Sequence, residues 1–87
     1  MNQANVDVIS LLQRVVTKVE KSRAVPQLTR ETRFSALGID SVSVMEIIGE
    51  VEDELNITLS DDRLAKIQSV GDVEEVVLNR LREQQLH

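Results

Sequence analysis

Aliphatic residues recur at spacings of three and four along three separate stretches of the chain, and that period leaves it little to fold into besides helices. Val8, Leu11, Leu12, Val15, Val16 and Val19 make the first stripe; Val44, Ile47, Ile48, Val51 and Leu55 the second; Val70, Val73, Val76, Val77 and Leu81 the third. Each stripe covers one face of a helix and leaves the other face polar. The spacing predicts helices over about 6–19, with Asn5 or Asp7 near the cap, over 41–55, and over 70–82, the last opened by Ser69-Val70-Gly71-Asp72. Between the second and third stripes, Ser60-Asp61-Asp62 is suited to cap a shorter helix over about 61–66, anchored by Leu59, Leu64 and Ile67. Beyond it, Arg80, Arg82 and Glu83 lead into an end expected to fray. The expected fold is all-α: a small four-helix bundle with a long first loop and a short third helix, one domain over residues 1–87.

From Glu20 to Leu37 no period holds, and Pro26 interrupts the run. A connection of that length is unusual unless side chains tie it down, so Val25, Leu28, Phe34 and Leu37 are expected to pin it to the bundle. Phe34 is the only aromatic residue of the 87, which makes it a core plug rather than a ligand platform. A chain of this size buries roughly 60% of its unfolded surface and is only modestly stable. It has no cysteine, which rules out disulfides and thiolate chemistry by the chain itself, so any thiol would have to arrive on a cofactor. No apolar run approaches the ~20 residues that span a bilayer, and the N-terminus has no charged-then-apolar signal pattern. The expectation is a cytoplasmic monomer.

The net charge of −5 is unevenly spread. Residues 1–39 carry six bases and three acids, residues 40–62 carry eight acids and no base, and residues 63–87 carry four of each. Such an acidic block repels nucleic acid phosphates and favours partners with basic surfaces. A solvated helix face with no partner would carry the same charge.

The block opens on Leu37-Gly38-Ile39-Asp40-Ser41-Val42, where a glycine turn runs into the second helix. Gly38 permits a tight backbone turn, and Asp40 stands where an N-cap accepts hydrogen bonds from the first free amides. The Ser41 hydroxyl then sits at the positive end of a helix, a place that tolerates an attached anion. Val42 and Met45 fall off the core stripe. With Glu46, Glu50 and Asp53 nearby they suit a docking surface, although they would equally well widen the core stripe. Gly49, inside the helix, costs about 1 kcal/mol against alanine. That predicts close approach there, by a packed neighbour or by a partner's backbone.

This run, followed by Met45-Glu46 and the acidic helix to Leu55, resembles the attachment motif of acyl carrier proteins, most densely from Phe34 to Val77. The resemblance implies phosphopantetheine, taken from coenzyme A, joined through a phosphodiester to Ser41, with Asp40 and Gly38 framing the site. The arm's thiol would hold acyl groups as thioesters. It also implies a phosphopantetheinyl transferase as partner, and acyl transferases, synthases or ligases whose basic patches meet Glu46, Glu52 and Asp53. The pathway would be fatty acid, polyketide or specialised lipid synthesis. Ser43, Gly49 and Arg63 depart from the usual family pattern on the surface that partners read.

Catalysis by the chain itself is not expected. A nucleophilic serine needs a nearby base, and the sole histidine is the terminal His87. Glu52, Asp53 and Glu54 are consecutive, so on a helix they point around the axis rather than at one metal ion. Two contrasting readings are a non-covalent acidic helical interaction module and a peptidyl or aminoacyl carrier domain.

Overall fold

The computed structural model describes residues 6–21 and 24–85. Four helices form: α1 Val8–Val19, α2 Ser41–Leu55, α3 Asp61–Leu64 and α4 Val70–Gln85, with a 3-10 turn at Ser35–Leu37 before α2. No strand forms among the described residues, where the one β-type pairing is an isolated bridge between Arg33 and Ser69. Helix α1 packs on both α2 and α4. The stripes meet as their period requires: Val8, Leu12, Val16, Ile47, Val51, Val70, Val73 and Val77 lose all contact with solvent.

The helix starts follow from their caps. Asp7 accepts from the Ser10 amide at 3.0 Å and from the Ser10 hydroxyl at 2.8 Å, so α1 begins at Val8 rather than residue 6. Asn5, the other residue named for this cap, lies outside the described residues. Ser60 caps α3 through the Arg63 amide. That helix stops at Leu64 instead of residue 66, because Lys66 and Ile67 donate only three residues back, to Arg63 and Leu64. At α4, Ser69 Oγ accepts from the Asp72 amide at 3.2 Å while Asp72 Oδ2 accepts from the Ser69 amide at 3.1 Å, a reciprocal capping box. Helix α4 then runs to Gln85, past the residue 82 expected from the stripe. Glu83 pairs with Arg63, and Arg82 donates to Asn79 at 2.8 Å, which hold the last turn together.

The long first connection is pinned in two ways. Leu28 and Phe34 are buried, and Val25 and Leu37 pack against the core from partly exposed positions. Polar contacts add direction. The Gln13 side-chain amide on α1 donates to Pro26 C=O at 3.1 Å and accepts from the Leu28 amide at 2.8 Å, so one side chain clamps both ends of a three-residue segment. At the far end, Phe34 N–H donates to Gln68 C=O at 3.1 Å, Val70 N–H to Thr32 C=O at 2.9 Å, and Gly71 N–H to Arg30 C=O at 2.9 Å. A methyl group on Gly71 would lie 2.9 Å from that same Arg30 oxygen, inside van der Waals contact. Glycine stands at 71 because two backbones touch there. Arg30 also pairs with Glu74, closing the seam.

Candidate functional site

Helix α2 owes its entry to three adjoining residues. Gly38 takes φ 73°, a left-handed conformation open to glycine at no steric cost, and its amide donates to Ser35 C=O at 3.1 Å. The buried Ile39 then fastens the chain to the core. Asp40 follows in extended backbone and caps the helix, its Oδ1 accepting from the Ser43 amide at 2.9 Å. The Ser43 amide, and then the Ser43 hydroxyl, hold the Asp40 carboxyl below its ordinary value of 3.8.

Ser41 is the first residue of α2 and is exposed. Its hydroxyl is not committed to any described side chain. It opens onto a cleft of about 320 Å³ floored by Phe34, Ile39, Val44 and Ile67, with Ser35, Arg33 and Gln68 at the rim. Sequence reasoning missed Arg33 and Gln68. They come from the loop and from the residues before α4, and no local pattern links them. Gly38, Asp40 and Ser41 therefore come together as expected, with an accessible oxygen at a helix start.

The proposed docking residues divide into two groups. Val42 is 70% exposed and Met45 50%, so they form apolar surface instead of widening the core. Glu46 and Asp53 are exposed as well. Glu50, by contrast, pairs with Lys18 of α1 at 3.0 Å, and that carboxylate raises the lysine pKa. Glu52 is half-buried, and its Oε2 accepts from the Leu59 amide at 2.7 Å, so it holds the turn after α2. The Asn56 and Ile57 amides also converge on Glu52 C=O, with Asn56 left-handed at φ 56°. Glu52 thus has work inside the fold that its place in an acidic run does not disclose.

Gly49 corrects one half of the expectation made for it. A methyl group there would meet no described atom within 4 Å beyond its own stretch of helix backbone, so no described neighbour requires the glycine. It opens a groove of about 560 Å³ between the end of α1 and α2, bordered by Lys18, Lys21, Glu46 and Asp53. Among the described residues, no group of three acids or histidines converges as metal ligands would, and no helix is long and apolar enough to cross a membrane. His87 lies outside the described residues.

Residues 9–77 match the family model described as "Phosphopantetheine attachment site". The chain belongs to the acyl carrier protein family. It is 34% identical over 74 residues to an acyl carrier protein of an Exiguobacterium species, covering 84% of this chain and 91% of that one. It is also 36% identical over 67 residues to the chloroplastic acyl carrier protein 1 of Hordeum vulgare, covering 74% of this chain but only 45% of that one. An acyl carrier protein homolog of Mycoplasmopsis pulmonis is 36% identical over 47 residues, covering 54% of this chain and 64% of that one.

A carrier of this family is not a catalyst, and its prosthetic group is covalently attached phosphopantetheine. The site's chemistry fits such a group. A phosphodiester needs a hydroxyl that solvent and an enzyme can reach, and a surrounding that accepts negative charge. Ser41 supplies the first, and the start of α2 supplies part of the second.

Proposed function

We propose that Ser41 is the residue that bears the phosphopantetheine arm, and that the chain carries acyl intermediates to fatty acid, polyketide or specialised lipid biosynthetic enzymes. The observation that carries this reading is the exposed, uncommitted Ser41 hydroxyl one residue past the Asp40 cap. When attached, the arm supplies a thiol that holds acyl groups as thioesters. The chain's own residues do the rest. Gly38 and Asp40 aim Ser41 outward, while the buried stripes of α1, α2 and α4 give the tether a fixed base. Residues 1–87 then act as one carrier domain.

Partner recognition is assigned to the exposed part of α2. Val42 and Met45 offer apolar contact, and Glu46 and Asp53 offer charge to the basic patch of a phosphopantetheinyl transferase, acyl transferase, synthase or ligase. Glu50 and Glu52 contribute less, because Lys18 and the Leu59 amide already occupy them. The Gly49 groove has room for a partner's backbone. Exposed charges give fast, weak encounters, which suits a carrier that has to let go. The expected setting is a monomer in the cytoplasm, checked by sedimentation and by cell fractionation.

The test is intact mass after incubation with coenzyme A and a broad-specificity phosphopantetheinyl transferase. A gain of one phosphopantetheine supports the carrier reading. An unchanged mass favours a non-covalent acidic interaction module, and the carrier reading then fails.

A further inference from the structure

Modification of Ser41 adds a permanent negative charge one residue from the Asp40 carboxylate, at the head of a stretch, residues 40–62, that holds eight acids and no base. The helix start offsets only part of that charge, since its effect is confined to the first turn and is screened by salt. A full positive charge has to come from another segment. Among the residues lining the cleft at Ser41, one alone is charged, and it is a cation: Arg33.

Arg33 is held in a way that leaves its charge available. Its Nη2 donates to Gln68 Oε1, a neutral acceptor, at 2.9 Å. Among the described residues no carboxylate pairs with it. Four of the other described cations are matched to carboxylates, Lys18 to Glu50, Arg30 to Glu74, and Arg63 and Arg80 to Glu83, and none of the remainder lines this cleft. The backbone at Arg33 is also fixed, because residue 33 bridges to Ser69 and the next amide donates to Gln68. The guanidinium is therefore carried on a rigid mount beside the site. A planar fork of N–H donors suits phosphate oxygens better than it suits a single amide oxygen.

We propose that Arg33, at the rim of the cleft onto which Ser41 opens, binds the phosphodiester of the arm, exchanging its neutral partner Gln68 for the anion. This rests on Ser41 being the attachment residue. Its consequence is that Arg33 fixes where the arm leaves the protein and lays its first atoms along the cleft instead of over α2. No bond is made or broken in this exchange.

The test uses the full chain before and after modification by a transferase and coenzyme A, followed by phosphorus NMR and by the arginine Nε–H resonances. Modification is expected to shift the Arg33 Nε–H signal and leave that of Arg14 in place. Arg33→Gln should move the phosphodiester resonance toward that of a free phosphodiester in the same buffer, and Arg33→Lys should restore part of the difference. In the unsubstituted protein the same move should appear as salt rises from about 0.01 M to about 1 M, where screening shortens from ~30 Å to ~3 Å. An Arg33 signal indifferent to modification, with a phosphorus resonance identical in Arg33→Gln, overturns the proposal while leaving the carrier reading intact. Absence of any mass gain and phosphorus signal overturns both.

Discussion

Two glycines lie inside helices of this carrier, and replacing each by alanine is expected to move stability in opposite directions. At Gly71 the added methyl would meet Arg30 O at 2.9 Å, Arg30 Nη2 at 3.3 Å and Arg30 Cβ at 3.4 Å. The guanidinium can swing away. The carbonyl cannot move without loss, because it accepts the Gly71 amide at 2.9 Å and the adjoining Val70–Thr32 bond ties the same seam. Overpacking of this kind costs about 1–3 kcal/mol. Alanine's better helix propensity returns at most about 1 kcal/mol, and less in a first turn. The net expectation for Gly71→Ala is a loss of about 1–2 kcal/mol, or a Tm lower by roughly 5–15 °C at the usual 4–8 °C per kcal/mol for a domain this small. At Gly49 no described atom beyond its own stretch of helix backbone stands within 4 Å, so only the propensity gain applies, and Gly49→Ala should raise Tm by several degrees, for about 0.5–1 kcal/mol. Thermal unfolding followed by far-ultraviolet circular dichroism reads both. Amide exchange at Phe34, Val70 and Gly71 should accelerate in Gly71→Ala alone. Equal Tm shifts of the same sign in the two variants would refute the assignment of Gly71 to a backbone contact.

Acid should unfold the carrier through its caps and its last turn: Asp7, Asp40 and Glu83 sit below their ordinary values of 3.8, 3.8 and 4.5, held there chiefly by Ser10, Ser43 and Arg63. A depressed folded-state pKa adds stability above the unfolded value and loses it as pH falls through the folded one, so urea midpoints should decline below 4.5, and less in Asp40→Asn, which keeps a capping oxygen. Gln13→Ala removes the clamp on Pro26 and Leu28 and leaves a half-buried amide unpaired, an expected loss of about 1–3 kcal/mol in urea denaturation. Transferase kcat/KM should fall with salt by roughly tenfold or more, as steered encounters do. It should fall more for Glu46→Gln or Asp53→Asn than for Glu50→Gln, whose carboxylate Lys18 already pairs.

What could be read from the chain was what repeats or what is local. The stripes from Val8, Val44 and Val70 announced their helices because burial demands a period, and Asp7, Asp40, Ser60 and Ser69 announced starts because a cap bonds within its own turn. The turn at Gly38 and the exposed Ser41 belong to the same class. What escaped is non-local. Gln13 reaches residues 26 and 28, Gly71 faces residue 30, and Arg33 meets Gln68, pairs that carry no mark in their neighbourhoods. The acidic run misled in a different way. Its members look alike in sequence, yet of the four acids named for docking Glu50 answers to α1 and Glu52 to the Leu59 amide, and only Glu46 and Asp53 are without a partner among the described residues. Helix ends were set by contacts from outside the helix, as with Glu83 and Arg63 beyond residue 82.

Ser41 Oγ is the one oxygen proposed to receive the arm, although Ser35 shares its cleft and Ser43 its helical turn. Peptide-level mass spectrometry of transferase-treated protein measures this directly, with Ser35→Ala, Ser41→Ala and Ser43→Ala compared side by side. One phosphopantetheine is expected on Ser41 in the unsubstituted, Ser35→Ala and Ser43→Ala proteins and none in Ser41→Ala. Modification that persists in Ser41→Ala, or that maps to Ser35 or Ser43, would contradict it.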